Sequence, residues 1–345
     1  MTHNELPGTA TPYKLDAGQG QRYAFGRQLA TVVARNEDLG TSMAGTILSG
    51  GKGEHFPLHS HAATHEAVYV VEGSLSFTLG EKVFVLQPGD YVNIPAGTVH
   101  GFLYLDHRGK MLSWSFGGDA GNIYATIGEV YAGMVYSELL PTIDWSLPLE
   151  GIDIHFVDTL THAATPSTDK LAVAPAAVVP FVLAAGEGER GMAGEQFYTL
   201  MGLDACSDGV FVSLMTEGPI GPAIPKHLHE KVAETFFCLN GAMEMFAGDQ
   251  FVTLEPGDFL YIPPGTPHSF RLLKNGTRFI GFLTPGYFEQ FFRYLCQPFE
   301  GYVYPLVPPP FRFDRVIQHL GELDLKILER PGGPPPGVPL SAMTL

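Results

Sequence analysis

Residues 53–73 read GEHFPLHSHAATHEAVYVVEG, and residues 221–241 read GPAIPKHLHEKVAETFFCLNG. The first stretch carries His59, His61 and Glu66, and the second carries His227, His229 and Glu234. A companion segment follows each one: GDYVNIPAGTVH ends at His100, and GDFLYIPPGTPH ends at His268. Every residue of the first set lies 168 positions before its counterpart. The intervals joining Gly53, the His-x-His pair, Glu66, Gly73, Gly89, Pro95, Gly97 and His100 recur unchanged from Gly221 to His268. A lone His-x-His is commonly an ordinary pair of strand histidines, but a whole spacing written twice over this length is not coincidence.

Alternate side chains leave the same face of a strand, so His-x-His points both imidazoles into one space. The glutamate comes after a turn, at the start of the next strand. The last histidine comes from a later strand of the same barrel. Three neutral nitrogens and one carboxylate oxygen form a borderline donor set suited to a divalent first-row metal. Such a set leaves coordination positions open, which separates a catalytic site from a closed structural one. The spacing therefore predicts two metal sites per chain: His59, His61, Glu66 and His100, then His227, His229, Glu234 and His268. Strand alternation turns His65 away from the first site. The matching interval selects Glu234 over Glu230 as the acidic ligand of the second.

Around the motifs the chain is a succession of short β-branched and aromatic runs. TVVAR, AGTIL, AVYVV, SLSFTL, KVFVL and YVNI are separated by turns at SGGKG, EGS, LGEK, QPGD and PAGT. Many short strands without a long amphipathic helix read as antiparallel jelly rolls. Gly73 and Gly89 bracket a hairpin as turn residues, and Asp90 and Asp258, each following a motif glycine, read as turn formers. The fold class expected is all-β: two tandem jelly-roll β-barrels with short flanking helices. NIYATIGEV (122–130) and FEQFFRYL (288–295) supply helical spacing after each barrel. A lead-in, LDAGQGQRYAFGRQL at 15–29, returns as LAAGEGERGMAGEQF at 183–197, so the duplication includes it.

At these residues a resemblance has to be stated. The paired motifs resemble those of the cupin superfamily, and most of the chain is similar to the bacterial two-cupin quercetin 2,3-dioxygenases. The likeness includes GRQLATVVARN, LSGGKGEHFPLHSH, GDYVNIPAGTVH, TFFCLNG, PGYFEQFF and FRFDRVIQHLGELDLKIL. It implies a metal-dependent dioxygenase that opens the central heterocycle of a flavonol such as quercetin with O2 and releases carbon monoxide. It also implies a double role for Glu66 and Glu234, as metal ligand and as catalytic base for the flavonol 3-hydroxyl. Iron or manganese is the ion implied, although cobalt, nickel or copper suits the same donors. Two other readings keep the ligands. One is a cupin oxygenase or isomerase acting on another phenolic or polyketide, and the other is a non-catalytic, pirin-like metal-binding bicupin.

The implied domains are an N-terminal cupin at 1–138 (barrel about 20–116), a connection at 139–177, a C-terminal cupin at 178–300, and an extension and tail at 301–345. Residues 1–12 read as a mobile leader. The connection holds four prolines, among them Pro141 and Pro148, with one strand expected in IDIHFVD. His155, His162 and His319 lack matching neighbours and read as ordinary surface or core histidines. DRVIQHLGELDLKIL (314–328) shows mostly helical intervals, and PGGPPPGVPLSAMTL is too rich in Pro and Gly to fold alone.

The 345 residues carry 20 bases against 36 acids, a net charge of −16, which disfavours a nucleic-acid partner. A hydrophobic fraction of 45% supports sizeable cores. Cys206, Cys238 and Cys296 have no ligand spacing and argue against a disulfide framework, which points to a reducing, cytoplasmic compartment. No signal peptide and no membrane span is read from the sequence. The expected partners are a small aromatic substrate and O2, and a homodimer through sheet edges is compatible with the fold. A flat substrate needs an apolar slot. Phe56, Tyr69, Phe77, Phe102 and Phe116 in the first barrel are candidates for it, as are Phe236, Phe246, Phe270 and Phe282 in the second.

Overall fold

The computed structural model describes residues 6–137, 143, 145, 149–158 and 165–329. His162, Pro141, Pro148 and the tail from residue 330 lie outside the described residues. The chain forms two units. One is built on Gly18–Gly188 with the short segment Ala205–Asp208, and the other on Glu189–Asp204 and Gly209 onward, with Ala10–Ala17.

Each unit contains an eight-stranded and a five-stranded antiparallel sheet. In the first unit the large sheet is centred on Met43–Gly50, Gly109–Phe116 and His65–Glu72, and the small one on His55–Ser60, His100–Tyr104 and Leu75–Leu79. The second unit repeats this with Val212–Gly218, Thr277–Thr284 and Ala233–Asn240 against His227–Leu228, His268–Leu272 and Met243–Ala247. Val68 and Val70 of the large sheet pack with Leu75, Phe77 and Phe102 of the small one in one buried core. In the second unit Phe236, Leu260, Met245 and Phe270 do the same. Each jelly roll is thus a pair of open sheets packed face to face, as period-2 strands with one apolar side require.

The turn glycines are where their backbone demands them. Gly73 and Gly241 have φ of +73° and +82°, and a Cβ on Gly73 would come 2.3 Å from the Arg108 carbonyl oxygen. Short helices cover Ile123–Ile127 and Glu289–Leu295, each led in by a 3₁₀ turn.

Three features depart from the sequence reading. First, the short strand at the head of each lead-in pairs with the other repeat. Tyr13–Leu15 pairs with Phe259–Ile262 in the second unit, while Phe181–Leu183, which lies 168 positions later, pairs with Tyr91–Ile94 in the first. Each one covers backbone groups that an edge strand would otherwise leave open. Lys14 and Lys170 accompany these strands and ion-pair with Asp258 and Asp90. Second, Leu6 and Gly8 of the expected leader are held by the first unit. Leu6 packs on the first core, and the Gly8 amide donates to Asp38 Oδ1 at 2.7 Å. Third, the segment after each jelly roll folds back as a strap. His155–Asp158 adds to the small sheet beside His55–Ser60, with Ile143, Trp145, Leu149, Ile152, Ile154 and Phe156 packed on the core. Lys326–Ile327 adds beside His227–Leu228 in the same way. The helical intervals of 314–328 are realised only over Phe313–Gln318 and the 3₁₀ turn Leu320–Glu322. Beyond that turn, the open edge of a two-residue strand draws the chain into pairing.

Candidate metal centres

His59 and His100 are direct cross-strand partners in the first unit, as are His227 and His268 in the second. Glu66 and Glu234 come from the large sheets, so each cluster bridges the two sheets of its jelly roll. Ring centroids of His59 lie 4.9 Å from His61 and 4.1 Å from His100, with 5.3 Å between His61 and His100. The corresponding distances in the second unit are 5.0, 4.3 and 5.2 Å.

Donor atoms of His59, His61, Glu66 and His100 all lie within 4.8 Å of one another, as do those of His227, His229 and His268. Glu234 is not in that tightest set, but its carboxylate oxygens lie 3.4 Å from His229 Nε2 and 3.4 Å from His268 Nε2. His65 and Glu230 belong to neither group. Glu230 turns outward to Lys326.

Each of these histidines uses Nδ1 on a backbone carbonyl. His59 and His227 donate to Pro57 and Pro225, both at 2.8 Å, and His100 and His268 donate to Thr98 and Thr266, both at 2.9 Å. His61 donates to Asp153, and His229 donates to Asp324 at 2.6 Å. A carbonyl only accepts, so Nδ1 carries the proton and the Nε2 lone pair faces inward. The Nε2 atoms of His61, His229 and His268 are buried with no hydrogen-bond partner. In the first cluster, His100 Nε2 meets Glu66 Oε2 at 2.7 Å, a contact between two acceptors unless positive charge stands between them. Gathering orphaned acceptors is expensive, about 1–3 kcal/mol each. A divalent ion relieves all of them at once, so the residues present fit a metal.

The electrostatics agree. Burial alone would raise the Glu66 carboxyl, but the adjacent imidazoles of His61 and His100 hold it well below the usual carboxylate range. Glu234 is likewise held down against burial by His229 and His268. Burial, followed by the charges of the two neighbouring imidazoles, pushes His59 and His227 well below the ordinary imidazole range. Burial would lower His61 and His229, but Glu66 and Glu234 beside them pull both above the ordinary imidazole range. Each cluster therefore gathers its imidazoles around one anion, a donor set complementary to a dication.

The straps add two residues that the sequence analysis did not single out. Asp153 accepts from the amides of Ala62 (2.7 Å), Ala63 (2.9 Å) and Thr64 (2.8 Å), and from the Thr64 hydroxyl (2.7 Å). Asp324 accepts from the amides of Glu230 (2.9 Å), Lys231 (2.8 Å) and Val232 (3.0 Å). Each aspartate thus ties down the loop joining the second histidine to the glutamate, while its own carbonyl orients that histidine. The signal was present as IDIHFVD against LDLKILE, but these lie 171 positions apart and fall out of the main register. Replacing Asp324 by alanine strands three amides and loosens that loop. Metal affinity at the second centre is expected to fall about 10–100-fold, the usual loss when a group orienting a ligand is removed. Chelator-competition titration checks this, and unchanged affinity would remove Asp324 from the site.

Next to the second cluster lies a cavity of about 380 Å³, and at the first cluster the free space is about 30 Å³. Phe56, Phe77 and Phe102 line the first, and Phe236 and Phe270 line the second. The remaining aromatic candidates, Tyr69, Phe116, Phe246 and Phe282, line neither. Strand parity explains the difference: Val68 and Phe236 share a face with Glu66 and Glu234, whereas Tyr69 and Phe282 point the other way. The second cavity also takes Phe288, Phe291 and Phe292 from the flanking helix region, and Phe311 and Phe313 from the extension.

Cys206, Cys238 and Cys296 form no disulfide with one another. Burial pushes Cys238 up to about 11 and Cys296 up to about 12, so neither is an activated nucleophile. No helix among the described residues is long and apolar enough to cross a membrane.

Comparison with known proteins gives three findings. The family profile described as Cupin domain matches residues 49–112 and 213–278. A quercetin 2,3-dioxygenase of Bacillus subtilis (strain 168) is 40% identical over 332 residues, covering 95% of this chain and 98% of the relative. One from Aspergillus japonicus is 28% identical over 130 residues, covering 35% and 37%. Among solved structures, oxalate decarboxylase from Bacillus subtilis at pH 4.6 matches with a TM-score of 0.53 at 14% identity, covering 82% of this chain and 78% of that one. The oxalate decarboxylase formate complex from Lactobacillus farciminis matches with a TM-score of 0.55 at 13% identity, covering 79% and 86%. At those identities the likeness speaks for the two-jelly-roll fold alone.

Proposed function

The chain belongs to the quercetin 2,3-dioxygenase family of bicupins, and from that premise we propose that it opens the central heterocycle of a flavonol with O2 and releases carbon monoxide. The carrying observation is the apolar cavity of about 380 Å³ beside His227, Glu234 and His268. It lies within the range of pockets that enclose drug-sized ligands, about 300–1,000 Å³. In this reading His227, His229, His268 and Glu234 hold the metal of the second centre, and His59, His61, Glu66 and His100 that of the first. Iron or manganese is the proposed ion.

A divalent ion held there supplies Lewis acidity, which lowers the pKa of a coordinated hydroxyl. The protein supplies the rest. Glu234 lines the cavity as an ionised carboxylate and takes the proton of the flavonol 3-hydroxyl. His229 and His268, each 3.4 Å from a carboxylate oxygen, keep that base facing the cluster. Phe236, Phe270 and Phe279 wall the cavity and offer faces to a flat ring system. By excluding water they keep the ionised flavonol from being reprotonated by solvent and hold it for attack by oxygen.

In a sealed vial, metal-loaded protein and quercetin should consume oxygen and release carbon monoxide in equal amounts. Oxygen uptake without carbon monoxide, or none at all with quercetin while another phenolic is consumed, would remove the flavonol from this reading.

A further inference from the structure

The two centres share their ligands but not their surroundings. In the first, the hydroxyl side chains of Thr46, Ser113, Ser115 and Tyr124 line the free space. The residues 168 positions later are Leu214, Gly281, Leu283 and Phe292, and they line the second cavity. Size is exchanged as well as polarity. Phe25 is 2% exposed, and its ring lies 5.7 Å from that of Tyr124, where it fills the first unit's interior. Its counterpart Ala193 leaves that volume open as part of the second cavity. Trp145 and Phe156 of the strap add a further layer over Phe56 of the first centre, with ring centroids 4.8 and 6.3 Å away.

We propose that the two centres divide ligands by size: each chain binds one flavonol, in the second unit, and the first unit's centre admits only ligands as small as azide. The division rests on the flavonol reading above. The free space at the first cluster, about 30 Å³, is less than a tenth of the about 380 Å³ beside the second. A three-ring flavonol cannot enter without displacing Phe25 or Tyr124, both packed in the core. A small ligand, in contrast, meets hydroxyl-bearing side chains, three of them on two neighbouring strands of the large sheet, among them Ser115, whose Oγ stands 3.4 Å from Glu66 Oε1.

The test uses the full chain loaded with cobalt at both centres and kept free of oxygen. Quercetin titration should saturate at one molecule per chain and perturb half of the cobalt paramagnetic resonance signal, whereas azide should perturb all of it. Ala193→Phe should weaken quercetin binding at least tenfold. Two quercetins per chain, or quercetin affinity unchanged in Ala193→Phe, overturns the division and leaves the flavonol reading standing. An azide response confined to half the signal overturns the small-ligand site. No quercetin binding at all overturns both. If Ala193→Phe does not fold, the wild-type stoichiometry still decides.

Discussion

Glu234→Gln should lower kcat for flavonol cleavage by about 10²–10⁴-fold, the usual contribution of a positioned general base. That is about 3–5 kcal/mol on the barrier. Glutamine preserves the shape and one oxygen donor between His229 and His268 but has no carboxylate to accept the 3-hydroxyl proton. Metal bound at the second centre should fall much less than turnover, because three imidazoles remain to hold it. The two effects are separable by measuring oxygen uptake and metal content on the same preparation. A variant that keeps wild-type kcat with its metal in place would show that Glu234 is a ligand or spacer and that the proton leaves by another route. A variant that loses metal and activity in parallel would assign the carboxylate to binding alone.

Stripping the metal from both centres should abolish turnover and lower Tm by about 5–10 °C. An ion present at about a hundred times its Kd stabilises the folded state by about 2.7 kcal/mol, and for units of this size each kcal/mol moves Tm by about 2–4 °C. The structural reason is local. Without an ion, buried Nε2 atoms of His61, His229 and His268 have no hydrogen-bond partner, and carboxylate oxygens of Glu66 and Glu234 stand 3.3, 3.4 and 3.4 Å from them. Returning iron or manganese should restore both Tm and activity. Calorimetry of stripped and reloaded protein checks the first, and an unchanged Tm would mean that the clusters are stable as bare hydrogen-bonded networks.

Most of the fold and the ligand sets can be read along the chain. His59 and His61 share a face because strand alternation has a period of two, and Gly73 marks a turn because its φ of +73° suits no other residue well. Such rules act between neighbours in sequence, and the repeat doubles their signal. Parity also separates Val68 from Tyr69 and Phe236 from Phe282 once a ligand sets the inward face. The exchanged strands are harder to read. YKL at 13–15 is three residues long, and its partner, Phe259–Ile262, lies in the other repeat. The role of Asp153 and Asp324 is also hidden, since each acts on a loop about ninety residues away along the chain.

The sequence by itself determined that this protein has two His3Glu clusters on two jelly rolls, because ligand spacing, strand period and turn glycines are properties of short stretches. Only the tertiary structure decided that the clusters differ in the free space beside them. That difference comes from Phe25 meeting Tyr124 where Ala193 leaves space, and from Trp145 and Phe156 packed against Phe56 in the first unit. Free volume depends on which distant side chains come to share it, and a residue's own neighbours in sequence do not record that.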